Sequence, residues 1–581
     1  MSHSKTARVV LLLVPSSVAL AAPALAQATR RVDLGLGGAL PDAPVSVRGI
    51  AGEGRFVLLE SAATNLVAGD TNGAGDVFVR DLARDVLERV SVDDAGAEGQ
   101  GESRRGTLSA DGRFVAFESL AALVADDTNG VQDVYLRDRK LGRTLRVSVD
   151  EHGREATRPS AWGSVSDDGR HVAFDSLARL AADDVDDVND VYVRDRDPDG
   201  DGDLDGAATT IRLSRPLGGD RANGSSFFPR ISGDGRRVVF HGLASNLAPG
   251  DANHDWDVFV RDRDPDGNGV LDESDATTAI LSASASGVQG GRASRDAAID
   301  RDGVQTAFWS DSGNLVPGDT NHVADVFVRD LARGTTVRVS VDSAGHEGNG
   351  ASLNPTLSAD GRFVAFVSVA TNLVAGDTNA RQDVFVHDRD PDGNGIFDEG
   401  NGTTRRESLS PFDAQGAGVH SLAFLSASGR RVAFQSTSAD LVPGARAPGG
   451  AVYLRDRIRL ASFGGAGRAL GFRVDGALAQ PGAVVEVLLS AGESELGSIL
   501  GERAWLPLRL DRVTALTLGR FRAPIDAAGT ALIPPAALGP LFPLPLHAAA
   551  LVLAPDESGA WPVTPPLALD APGPQEKPER P

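Results

Sequence analysis

The sequence predicts an all-β protein, a seven-bladed β-propeller followed by a small β-sandwich-like domain. Three observations predict it: one unit recurs seven times, the unit has the period-two pattern of strands, and a fragment of the unit stands before the first full copy. The unit is clearest at Ser358–Asp388, SADGRFVAFVSVATNLVAGDTNARQDVFVHD. Its turn and second strand return as GEGRFVLLES (52–61), ADGRFVAFES (110–119), DDGRHVAFDS (167–176), GDGRRVVFHG (233–242), RDGVQTAFWS (301–310), ADGRFVAFVS (359–368) and ASGRRVAFQS (427–436). The glycine of each turn, at 54, 112, 169, 235, 303, 361 and 429, advances by 58, 57, 66, 68, 58 and 68 residues. Self-similarity at such a period marks a repeat architecture.

Residues 1–26 have the pattern of a secretory signal. Lys5 and Arg8 form a positive start, Val9–Leu20 a short apolar core and Ala24-Leu25-Ala26 a small-residue cleavage site. The apolar run is too short to span a bilayer, and no later stretch reaches about 18 uncharged apolar residues. An exported protein, periplasmic or extracellular and without a membrane span, is expected. The absence of cysteine excludes disulfides, thiol catalysis, cysteine-ligated metal and an N-terminal lipidated cysteine.

Residues 27–460 form the predicted propeller. The run Arg113-Phe114-Val115-Ala116-Phe117 is nearly continuous in apolar character, as in a strand covered on both faces. The Asp-Gly before it predicts a tight hairpin with positive φ at both residues. A loop of the type Asn-Leu-Val-x-Gly-Asp-Thr-Asn follows, then a third strand Asp-Val-Phe-Val-Arg-Asp (76–81, 325–330) and a fourth, Thr-x-Arg-Val-Ser-Val (144–149, 336–341). Four antiparallel strands repeated radially give a propeller. The seventh unit lacks a fourth strand, and Thr29-Arg30-Arg31-Val32-Asp33-Leu34 matches that strand ahead of the first unit. Residues 29–35 are therefore expected to complete the last blade and leave no open edge. Residues 461–570 alternate apolar segments with Gly/Pro turns and predict the sandwich. The Pro- and charge-rich tail 571–581 predicts disorder.

The turn-strand Asp-Gly-Arg-x-Val-Ala-Phe followed by Asp-Val-Phe-Val-Arg-Asp resembles the WD40-like (PD40) repeats of the TolB-type propeller family, over about residues 29–460. The resemblance implies the fold. Its members include periplasmic scaffolds, propellers attached to peptidases and a few lyases. This chain departs from the scaffolds in lacking their extra N-terminal domain.

Three units carry an insert between the third and fourth strands: DPDGDGDLDG (197–206), DPDGNGVLDE (264–273) and DPDGNGIFDE (390–399). The spacing resembles the first nine positions of an EF-hand calcium loop. Calcium takes six to eight hard oxygens, which acids at positions 1, 3 and 5 and a carbonyl at position 7 supply around a glycine at position 6. The candidate ligands are Asp197, Asp199, Asp201, Asp203 and Asp205; Asp264, Asp266, Asn268, Val270, Asp272 and Asp275; and Asp390, Asp392, Asn394, Ile396 and Asp398. Position 12 departs from the expected glutamate, with Ala208, Asp275 and Asn401, and flanking helices are not predicted. A solvated acidic turn would show the same composition. Without an ion, however, four or five carboxylates in one turn repel one another.

Asp70, Asn72 and Asp76 recur as Asp319/Asn321/Asp325 and Asp377/Asn379/Asp383; side-chain capping of the turn and cation binding are the two readings. His254, Trp256 and His322, with His152 and His346, fall in loops on one face, and chance placement explains them better than a ligand surface does. No nucleophile elbow, zinc-helix motif or phosphate loop is present. The formal charge of −23 opposes binding to nucleic acid. The expected function is a calcium-stabilised binding or scaffold module, monomeric and without catalytic machinery, with a protein or polysaccharide partner in the cell envelope. The alternative is a metal-assisted polysaccharide lyase or a hydrolase-like enzyme with its site in the funnel. That site would need several His, Gln or Asp side chains on the axis; His420 and Trp162 are first-strand residues to place.

Overall fold

The computed structural model describes residues 29–457, apart from 205, 217–220, 411–413 and 443–449, and outside them the strands Val10–Leu12, Leu460–Gly464, Ala469–Asp475, Val484–Ser490 and Val552–Leu553. Among the described residues seven four-stranded antiparallel sheets follow one another. Blade 2 is typical, with strands Ser103–Leu108, Phe114–Ser119, Asp133–Asp138 and Arg143–Arg146 in sequential order. Blades 1 and 3–6 cover residues 45–89, 160–212, 226–280, 294–338 and 352–406. Each first strand lies against the first strands of both neighbours, so the seven together surround the axis.

The two middle strands of a blade are buried on both faces, as their continuous apolar runs require. The core is divided among the gaps between blades. Phe114, Ala116, Val134 and Leu136 of blade 2, for example, pack on Val165, Val172 and Phe174 of blade 3. The third strands coincide with the predicted Asp-Val-Phe-Val-Arg-Asp segments, while the fourth strands are shorter than the motif and end at its arginine (Arg146, Arg338).

The Asp-Gly turn differs from the expected two-residue hairpin. Only the glycine has positive φ, +72° at Gly112, and its N–H closes onto Ser109 O at 2.9 Å. The aspartate acts through its side chain: Asp111 Oδ1 accepts the N–H of Arg113 and the hydroxyl of Ser109. The glycine has a second role. A Cβ at Gly112, Gly169 or Gly429 would enter the ring of Phe56, Phe114 or Phe363 in the preceding blade. At Gly235 the partner is His171, at Gly361 Gln305, and at Gly54 it is Arg431 of blade 7. Side chain on glycine thus repeats round the circle, across the closure included.

Closure follows the expectation. Thr29–Arg31 pairs antiparallel with Ala451–Asp456 and completes the sheet of His420–Leu425 and Arg431–Ser436. The Thr29 hydroxyl donates to Leu409 O at 2.7 Å, as Thr144 does to Val92 O and Thr210 to Val149 O in complete blades. Arg455 donates to the same hydroxyl at 2.8 Å, matching Arg194 on Thr210.

The chain divides into two compact units, 28–457 and 1–27 with 458–581; in the latter Leu460–Gly464, Ala469–Asp475 and Val484–Ser490 pair antiparallel in sequence, and Val10–Leu12 adds in parallel and Val552–Leu553 antiparallel to Val484–Ser490. Apart from these strands, the predicted signal segment, the sandwich over 461–570 and the tail 571–581 lie outside the described residues.

Candidate functional site

The site is built on a flaw repeated in the first strands. In all seven the register against the second strand shifts mid-strand. In six blades a non-glycine residue there is left-handed: Arg105, Trp162, Phe228, Asp296, Asn354 and Leu422, with φ between 48° and 57°. Left-handed bulky residues are strained, and such bulges re-aim side chains. The preceding blade holds the freed amide. Trp162 N donates to Glu118 Oε2 at 3.2 Å, Phe228 N to Asp175 Oδ2 at 3.0 Å and Asp296 N to His241 Nδ1 at 3.3 Å; Gly106 N reaches Glu60 Oε1 at 2.9 Å. These acceptors share one position near the end of the second strand.

Burial sets their protonation. It pushes Asp175 up to about 7, against hydrogen bonds from Asn189 and Phe228 N. It raises Glu118 as well, opposed by Arg104 and Arg105. His241 is pushed down to about 4 by burial, helped by Arg295 and Arg230 and opposed by Asp296, which keeps Nδ1 free to accept.

The re-aimed side chains form an arc. The Arg105 guanidinium lies 4.2 Å from the Trp162 ring, and Trp162 meets Phe228 at 3.8 Å. The Trp162 and Phe228 rings are tilted by 37°; Phe228 stacks on His241 at 4.7 Å, and His241 meets Trp256 edge-on at 5.3 Å. Arg295 covers Trp256 at 4.5 Å, and Trp309 donates its indole N–H to Asp296 Oδ2 at 2.7 Å. All three tryptophans of the described residues lie here. The arc thus sets aromatic rings and guanidinium groups side by side. Arg48, Arg104 and Arg105 keep 28, 38 and 30 % of their side chains exposed, while their partners Glu60 and Glu118 are buried. Exposed Leu120, Leu177, Leu243, Val369 and Val419 flank the same ends of the strands.

The acidic inserts lie at the opposite ends of the strands. Asp197 accepts the N–H of Asp201 and Gly202, Asp264 those of Asn268 and Gly269, and Asp390 those of Asn394 and Gly395, at 2.9–3.1 Å. Carboxylate oxygens of Asp197, Asp199 and Asp201 lie within 4.8 Å of one another. In the other two loops Asn268 and Asn394 tie Asp266 and Asp392 to Glu273 and Glu399. Position 9 goes elsewhere. Asp272 and Asp398 are left-handed, at 62° and 65°, and pair with the buried guanidinium groups of Arg263 and Arg389. The arginine immediately before each insert was the sequence signal for this. Val270, Ile396, Asp203 and Asp275 are exposed, and Asp205 lies outside the described residues.

In the Gly-Asp-Thr-Asn loops the asparagine caps the turn and the aspartates meet an arginine. Asn72 caps its turn, accepting from Ala74 N and donating to Gly99 O. Asp70 and Asp76 instead meet Glu98 around Arg89. Asp319 and Asp325 do the same with Glu347 and Arg338. The arginine of the fourth strand and a Glu nine residues later carry that signal in sequence. His152, His254, His322 and His346 are exposed in loops, whereas His420 is buried and pushed down to about 4 by burial.

No protein-family model matches the sequence, and no curated protein matches it. Solved structures similar to the chain include a putative TolB from Agrobacterium tumefaciens, at 17% identity and TM-score 0.31 over 51% of this chain and 80% of that one. An oligogalacturonate lyase in complex with manganese is similar at 12% identity and TM-score 0.40, over 74% of this chain and 94% of that one. A puromycin-hydrolysing peptidase of Mycobacterium tuberculosis is similar at 13% identity and TM-score 0.41, over 78% and 61%.

Proposed function

We propose that the protein is an exported, calcium-stabilised propeller that binds a protein or glycan of the cell envelope, acting as a monomeric scaffold module. The observation that carries this is the arc from Arg105 to Trp309. Four of the six left-handed bulge residues, Arg105, Trp162, Phe228 and Asp296, and every tryptophan of the described residues belong to it. Strain of this kind gathers at functional sites. The net charge of −23 opposes nucleic acid, and no helix among the described residues is long and apolar enough to cross a membrane.

His241, Asp175, Glu118 and Asp296 are acid–base groups at the arc, and each is committed to a backbone amide or an indole. That commitment favours binding over the alternative of metal-assisted lysis or hydrolysis. Calcium would sit in the inserts, held by Asp197, Asp199 and Asp201, by Asp264, Asp266 and Asn268, and by Asp390, Asp392 and Asn394. There it would relieve carboxylate repulsion and fasten the hairpins. The test is capture from envelope extract, with and without calcium, by the parent and by W162A/R105A. Loss of the captured partner in the variant is expected; equal capture would refute the arc as the binding surface. An unchanged melting temperature in excess chelator would refute the role of calcium.

A further inference from the structure

The inserts are not the sole places where acids converge. In blade 1 Asp70, Asp76 and Glu98 offer carboxylate oxygens within 4.8 Å of one another, and in blade 3 Asp184, Asp186 and Asp190 do so with all three residues buried. We propose that these two pockets, between the second and third strands and on the face opposite the inserts, are divalent-cation sites suited to calcium.

The arginines in them do not balance the charge. Arg89 Nη1 lies 2.6 Å from Glu98, 3.2 Å from Asp76 and 3.6 Å from Asp70. One guanidinium therefore faces three carboxylates. The Asp70 side chain is 1 % exposed, and neither of its oxygens has a hydrogen-bond donor. In blade 3 Arg212 reaches Asp186 at 2.7 Å and Asp190 at 3.0 Å, and Asp190 Oδ2 has no donor. A water molecule would supply hydrogens to these oxygens but no positive charge, so with all three carboxylates ionised a surplus of two would stay. A divalent cation removes both.

Blade 4 keeps that surplus with other residues, whereas blade 6 holds Arg406 and Gln415 and so a surplus of one. Blade 4 has Ile280 where the arginine stands and Gln289 where the glutamate stands, and the Gln289 amide bridges Asp251 and Asp257 at 2.8 Å each. A cation and an acid disappear together, and two negative charges remain. The pockets offer oxygen alone, the donor set of a hard cation.

The test is native mass spectrometry of the full chain carrying D197N, D264N and D390N, which disable the inserts, titrated with calcium. Two bound ions are expected. Adding Asp70→Asn removes one and Asp190→Asn the other. Fewer than two ions, or ions that survive both substitutions, overturns the proposal. A second readout spares the pockets. The Tyr192 hydroxyl donates to Asp184, and the chain has three tyrosines, none in an insert. Terbium in blade 3 of the insert-disabled chain should therefore show tyrosine-sensitised emission that falls severalfold in Y192F. Emission unaltered by Y192F counts against the site. Loss of ions from the parent on disabling the inserts tests the inserts alone, so the two assignments fail separately.

Discussion

Replacing Gly169 by alanine tests whether blades are held in register by side chains seated on neighbouring turns. Two costs arise. The backbone at 169 has φ +76°, where an alanine costs about 1 kcal/mol relative to glycine. The new Cβ would also stand 2.6 Å from Cζ of Phe114, inside a core where overpacking costs about 1–3 kcal/mol. The sum is about 2–4 kcal/mol. Gly130 separates the two costs, because its φ is +66° and nothing lies within 4 Å of a Cβ there. Gly130→Ala should therefore show the backbone cost alone, about 1 kcal/mol. Gly54→Ala should fall between them, since its neighbour is the flexible Arg431 side chain. Equilibrium urea unfolding at constant m reads the differences. If Gly169→Ala and Gly130→Ala agree within about 0.5 kcal/mol, Phe114 yields freely and the seating contributes nothing to register.

Three further outcomes are expected. Thr29→Ala removes a buried hydroxyl between Leu409 O and Arg455 and should cost about 1–3 kcal/mol, the same as Thr210→Ala in a complete blade; a clearly smaller loss at 29 would show that closure is not equivalent to the other outer strands. Asp175 is pushed up to about 7 in the folded chain, so its contribution is greatest below the unfolded value of 3.8 and fades as pH rises to 7. The stability of the parent relative to D175N should accordingly fall by up to about 4 kcal/mol between pH 4 and pH 7, and a flat difference in melts across that range would contradict the burial argument. Asp272→Asn leaves the buried Arg263 guanidinium without its carboxylate and should lower the melting temperature in chelator and in calcium alike; an effect confined to calcium would make Asp272 a ligand after all.

Seven blades, their third strands, the acidic inserts and the strand that closes the ring were all legible in the sequence. Each rests on a local rule: alternation of side chains along a strand, turn residues at fixed offsets, or a repeat that cannot bury its faces alone. The arc was not legible. Trp162 and Phe228 hold the same place in successive repeats, but His241 and Trp256 come from a second strand and the loop after it, and only the bulged first strands bring the four rings together. The partners of Asp272 and Asp70 left a signal in the sequence, an arginine at a fixed offset, but the pairing itself was not legible. A carboxylate's preference for a guanidinium nine residues upstream or on the next strand depends on which of them burial has stripped of water. Pattern along the chain determined the ring, and proximity across it decided which charges and aromatic rings meet, because those energies depend on distance and desolvation and not on order in sequence.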